Sequence, residues 1–139
     1  VSFLQADQRD KQDERDAPAD DGVTRLIIGC AFEVANTLGI GFAEKVYQNA
    51  LAHECRWRGL SIVQQKGIIV RYKDIVVGEY AADLLVQNRI LVELKVVKAL
   101  TDLHAAQCQN YVCATGMPVC LLINFGRPRI EIRRVQAIA

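Results

Sequence analysis

The stretch from Glu79 to Val97, EYAADLLVQNRILVELKVV, limits what this chain can fold into more than any other. It is apolar almost throughout and breaks once, at Asn88-Arg89. Two β-branched and leucine-rich runs joined by such a pair read as a buried antiparallel strand pair with a hairpin turn. Three charges nevertheless stand inside it: Asp83, Glu93 and Lys95. Burying charge is expensive unless the charge is paired or bound to a metal. The fold must therefore supply both a core for the strands and a reason for the charges.

The remaining segments supply the core. VTRLIIGCAFEVANTL places Leu26, Ile27, Cys30, Val34 and Leu38 at three- and four-residue steps, which predicts an amphipathic helix with Thr24 as its N-cap. Gly39 and Gly41 break the chain. A second helix, FAEKVYQNALAHECRWRG, then turns Val46, Ala50, Leu51 and Cys55 inward and ends at Gly59. SIVQQ, IIVRY, IVVGEYAADLLVQ and RILVELKVV predict four strands, separated by Gly67, a Lys73-Asp74 turn and an Asn88-Arg89 turn. LTDLHAAQCQNYVCATG predicts a helix capped by Thr101 and ended by Gly116, and PVCLLINF and RIEIRRV two last strands. The expected class is α/β (α+β): one mixed β-sheet flanked by helices, in the order ααββββαββ. Residues 1–22 read as a disordered or loosely ordered charged tail, and residues 23–139 as one domain.

Composition narrows the function classes. No apolar run approaches the ~20 residues of a membrane span, and no signal-peptide pattern opens the chain. A cytoplasmic protein without a membrane partner is expected. The five cysteines form no C-x-x-C pair and are expected to be reduced and packed as small hydrophobes. Net charge is +1; residues 1–21 hold seven acids and three bases, net −4, which leaves +5 on the rest. That mildly basic balance is compatible with nucleic acid. Neither a glycine-rich phosphate loop nor a nucleophilic Ser/His/Asp set is present.

Side chains alternate along a strand, so Glu93 and Lys95 share one face and Leu94 takes the other. Asp83 stands about six residues before the turn and Glu93 about four after it, which makes them near neighbours across the ladder. Paired carboxylates repel, and a hard divalent cation such as Mg²⁺ or Mn²⁺ relieves that repulsion. An ordinary Glu–Lys pair with an acid at a strand end fits the same D-x(9)-E-x-K spacing. The hairpin alone leaves both readings open. Elsewhere, His53 reads as a surface residue, and Trp57 as either a helix-end packing residue or a base-stacking one. Arg127, Arg129, Arg133 and Arg134 read as either the charged guard of an edge strand or a phosphate-tracking surface.

Asp83 followed by Glu93-Leu94-Lys95 resembles the core signature of the PD-(D/E)XK nuclease superfamily, with Ala82 where the proline of its name would stand. Gly41-Phe42-Ala43-Glu44-Lys45-Val46-Tyr47 fits G-x-x-E-x-x-Y, the motif of the GxxExxY proteins within that superfamily. NTLGIGFAEKVYQNAL, Y-x-D-x-x-V-G-E-Y, ADLLV, VELK, H-x-x-Q-x-x-x-Y and LLINFG look like the same family, across about residues 23 to 135. Gln107 and Tyr111 resemble the Q-x-x-x-Y motif of RecB-like nucleases and share a helix face with His104.

The resemblance implies a restriction-endonuclease-like fold and hydrolysis of DNA phosphodiester bonds by a metal-activated water. It implies that Asp83 and Glu93 bind Mg²⁺ or Mn²⁺, with the Leu94 carbonyl as a third ligand and Glu44 approaching through water. Lys95 would position or activate the attacking water. Gln107 and Tyr111 would orient the lysine or the scissile phosphate, and His104 would touch the phosphate backbone. DNA, single-stranded or branched, is the expected partner, and a homodimer is compatible with the small size. The alternative is a non-catalytic module of the same fold that binds nucleic acid or a partner protein.

Overall fold

The computed structural model describes residues 19–137, with side chains from Gly22 onward. The tail expected over residues 1–22 lies, through residue 18, outside the described residues. Helix α1 spans Ala19–Leu38 and α2 Glu44–Trp57. Strands β1 (Ile62–Tyr72), β2 (Ile75–Val86) and β3 (Ile90–Lys95) follow, then helix α3 (Asp102–Thr115) and strands β4 (Val119–Asn124) and β5 (Glu131–Gln136). The order is ααβββαββ, one strand fewer than the sequence predicts. Gly67 does not break β1, because it pairs with Ala81 in a ladder that runs on to the turn.

The five strands lie in chain order, β1-β2-β3-β4-β5. Only β3 and β4 are parallel, and α3 is the crossover that makes this possible. Helices cover both faces. Ile27, Cys30 and Val34 of α1 and Tyr47, Leu51 and Cys55 of α2 pack on Leu84, Val92, Leu94 and Leu121. On the opposite face, Cys108, Tyr111 and Val112 of α3 pack on Leu85, Leu91 and Leu122. This double cover is why β3 and β4 are apolar at nearly every position rather than alternating.

The helix faces depart from expectation in detail. Leu26 and Val46 are exposed, and Tyr47 takes the inward position beside Leu51. Thr24 lies inside α1, five residues past its start, and is not the N-cap. The Thr101 and Gly116 ends of α3 are as expected, with Gly116 in the left-handed region at φ 73°. Four cysteines are buried, and the sheet separates them into two pairs. Cys30 and Cys55 lie in the core on one side, and Cys108 and Cys120 in the core on the other.

Lys73 and Asp74 both have positive φ and join β1 to β2 between the paired Tyr72 and Ile75, as a two-residue hairpin requires. The β2–β3 turn has its positive-φ corner at Gln87-Asn88, one residue earlier than expected, closed by Arg89 N donating to Val86 O. The β1–β2 ribbon is far longer than its neighbours. β2 pairs with β3 only over Leu84–Val86, so within the sheet the segment from Ile75 to Ala81 pairs with β1 alone and forms a two-stranded arm.

Candidate active site

The site forms where one ladder stops and a second is interrupted. β2 and β3 pair as Val86–Ile90, Leu85–Leu91 and Leu84–Val92. The next pair in that register would be Asp83 and Glu93, and there the main chains part. Side chains take over: Asp83 N donates to Glu93 Oε1 at 3.0 Å, and Leu94 N donates to Asp83 Oδ2 at 2.7 Å. The β1–β2 ladder also skips a rung here. Gln64 pairs with Leu84 and Lys66 with Ala82, while Gln65 between them is turned to φ 55°. Its amide reaches Asp83 Oδ1 at 3.4 Å.

Helix α2 closes the site from one face of the sheet. Gln48, almost fully buried, donates to Asp83 Oδ1 at 2.9 Å. The Gln48 carbonyl oxygen accepts from Lys45 Nζ at 2.8 Å and from Gln64 Nε2 at 3.2 Å. Glu44, at the start of α2, lies within electrostatic reach of Asp83 and Lys95. The loop before α2 is fixed by Tyr47, whose hydroxyl donates to Gly39 O at 2.6 Å and whose ring stacks on Phe125 at 4.9 Å. Helix α3 closes the opposite face, with Gln107 Nε2 donating to Tyr111 Oη at 3.1 Å.

Asp83 and Glu93 are only 8% and 5% exposed. Burial, and then the Asp83 charge, push the Glu93 carboxyl up to about 8, against the pull of the Asp83 amide and Lys95. The shift favours the protonated Glu93 carboxyl in the metal-free chain. The Glu44 carboxyl is also raised, by burial and then by Asp83, with Lys95 opposing. Burial and the Glu93 charge raise the Tyr111 phenol to about 12, while the bond from Gln107 opposes. The centre thus sets the Glu44, Asp83 and Glu93 carboxyls close enough to act on one another, with Lys95 opposing. Hydrogen bonds join Asp83, Glu93 and the Leu94 amide, and charge couples Glu44, Lys95 and Tyr111 to them. Among the described residues, no three His, Cys, Asp or Glu side chains converge on one cation position.

His104 sits at the beginning of α3, where its Nδ1 accepts from Thr101 N at 3.0 Å. Trp57 is 80% exposed at the far end of α2 from Glu44, about 20 Å along the helix by its rise per residue. Arg127 pairs with Glu131, and Arg133 with Asp102, so part of the C-terminal basic cluster is spent within the fold. Gln48 and Gln65 do not appear among the residues that sequence reasoning selects. Gln48 is four residues after Glu44 on the same helix face, which is a readable signal. The backbone turn at Gln65 leaves no comparable trace.

A family model of the PD-(D/E)XK nuclease superfamily matches residues 21–135. Among solved structures, an alkaline exonuclease (LHK-Exo) from Laribacter hongkongensis is similar at 15% identity and a TM-score of 0.47, with 78% of this chain and 76% of that chain covered. A second, SSO0001, is similar at 13% identity and a TM-score of 0.44, with 99% of this chain and 62% of that chain covered. No curated protein sequence matches the chain. Among the described residues, no helix is long and apolar enough to cross a membrane.

Proposed function

This chain belongs to the PD-(D/E)XK nuclease superfamily, and from that premise we propose that it is a Mg²⁺- or Mn²⁺-dependent deoxyribonuclease. The buried Asp83–Glu93 pair at the parted strand ends carries the reading. Two buried carboxylates set against each other at the end of a ladder, one of them raised by burial and by the other's charge, mark a candidate catalytic centre. The donor chemistry fits a hard cation. Glu93 uses one carboxylate oxygen for the Asp83 amide, and ionised carboxylates have lone pairs to spare beyond these bonds. Asp83, Glu93 and the Leu94 carbonyl would hold the ion. Bound there, the ion would supply neutralisation of phosphodiester charge and a more acidic water.

The protein's own groups do the rest. Gln48 and Gln65 fix one oxygen of Asp83 and the Leu94 amide fixes the other, so the carboxylate cannot rotate. Lys95 orients the attacking water and stabilises charge that develops on the phosphate. Glu44 approaches through water. Gln107 and Tyr111 orient the phosphate from the α3 side. His104 accepts a hydrogen bond at Nδ1, so its neutral ring carries the proton on Nε2, where it can meet a backbone phosphate.

The local geometry supports a place among the GxxExxY proteins and gives each motif residue a task. Gly41 has φ 108°, Tyr47 anchors the loop, and Glu44 starts the helix beside the acids. The Gln107–Tyr111 hydrogen bond supports the RecB-like comparison in the same way.

The test is incubation with single-stranded, duplex and branched DNA in Mg²⁺ or Mn²⁺, beside Asp83→Asn and Lys95→Ala. The wild type cleaves at least one substrate, and each variant falls by about 10²-fold or more. Equal cleavage by wild type and variants, or no cleavage of any substrate, overturns the proposal.

A further inference from the structure

A groove of about 1210 Å³ runs between the β1–β2 arm and α3. Lys66, Arg71 and Tyr80 line it from the arm, and Gln107, Asn110 and Tyr111 from the helix. Its floor is apolar. Its only two charged side chains are cations, Lys66 and Arg71, with no carboxylate along its length. One end lies toward the acids: Lys66 follows Gln65, which bonds Asp83, and Tyr111 lies in the field of Glu93.

Tyr80 supplies the second observation. Its ring is 54% exposed and tilted 50° to Tyr111, with centroids 6.2 Å apart. Gly78, two residues earlier on the same strand face, makes room for it. A Cβ built on Gly78 would stand 3.1 Å from the Tyr80 ring. The arm thus presents a half-exposed aromatic ring to the groove.

We propose that this groove binds an unpaired polynucleotide strand leading to the acids, with Lys66 and Arg71 on its phosphates and Tyr80 stacked on a base. Cations tracking a backbone, an exposed ring for a base and helix amides for base edges are the means by which proteins hold single strands. Unpaired bases can reach Tyr80, whereas duplex bases are stacked on each other. The proposal rests on the nuclease reading in one respect: the strand is placed as substrate rather than as a separate ligand.

The test separates the two. Binding of fluorescent oligo-dT, oligo-rU and a duplex is measured in EDTA, where no hydrolysis occurs, and cleavage is measured in Mn²⁺. Wild type binds the single strands more tightly than the duplex. Tyr80→Ala weakens single-strand binding roughly 5- to 100-fold, and Tyr80→Phe restores it. Lys66→Ala with Arg71→Ala lowers the slope of log K against log salt by about 1.4. Cleavage of single strands falls in parallel, through KM. Unchanged binding by the correctly folded variants, or a duplex bound as tightly as a single strand, overturns the groove and leaves the nuclease reading standing. Binding lost as described with no cleavage by wild type upholds the groove and removes the nuclease reading.

Discussion

Replacing Glu93 with Gln should make the metal-free protein more stable at alkaline pH. Glu93 is buried against Asp83, and its carboxyl is raised from the usual 4.5 to about 8. Between those values the folded chain holds a proton that the unfolded chain has released, so stability falls as pH rises. The Glu93 contribution is fully present below pH 4.5 and lost above about pH 8. Linkage bounds the loss at about 5 kcal/mol. Glu93→Gln keeps an oxygen to accept the Asp83 amide and carries no proton to lose. Wild type and variant should therefore unfold at similar urea concentrations near pH 4.5, and the variant should gain roughly 2–5 kcal/mol by pH 9. Glu44 titrates in the same direction in both proteins and cancels in the difference. Urea unfolding at half-unit steps in EDTA measures it. Parallel wild-type and variant curves from pH 5 to 9 would show Glu93 ionising at no cost, and the reasoning would fail.

Four further outcomes follow from the same structure. Mn²⁺ at about 100 times its Kd should stabilise the wild type by about 2.7 kcal/mol and Asp83→Asn by much less, read by calorimetry with and without the ion. Gln48→Leu removes the buried donor to Asp83 Oδ1 and should cost about 1–3 kcal/mol in urea unfolding together with nuclease activity. Gly126→Ala should cost at least about 1–3 kcal/mol, because its Cβ would lie 2.5 Å from Val97 N and against Val97 O, both rigid backbone. Trp57→Ala should change stability by less than about 0.5 kcal/mol and leave oligonucleotide binding unchanged, since the ring is exposed and far from the acids.

The features legible in the sequence are those set by period and by turn chemistry. Counting from the turn placed Asp83 near Glu93 across the ladder, and Lys73-Asp74 announced a turn in which both residues have positive φ. The helix around Gln107 and Tyr111 was bounded at both ends by Thr101 and Gly116. The features that escaped depend on distant partners. Gly67 looked like a break because the sequence does not show the long β2 ladder that carries β1 through it. Tyr47, not Val46, faces inward because Phe125, seventy-eight residues later, offers it a stacking surface. Gln48 looked like any polar helix residue until Asp83, thirty-five residues away, was packed beneath it. An odd count of five cysteines concealed two buried thiol pairs, one on each side of the sheet.

The place where β2 and β3 part bears on how such a chain can change over generations. The two acids proposed for chemistry also stitch the strands together, each through a main-chain amide of the Asp83 or Leu94 peptide. Folding and turnover therefore draw on the same atoms. A lineage that no longer needed to cut nucleic acid would still be selected to retain Asp83 and Glu93 as fasteners. Lys95, which binds its neighbouring strand through the main chain and not through its side chain, would be freer to drift. Within a set of related sequences, loss of the lysine beside an intact acid pair is then the expected mark of a copy that has kept its shape and given up its reaction.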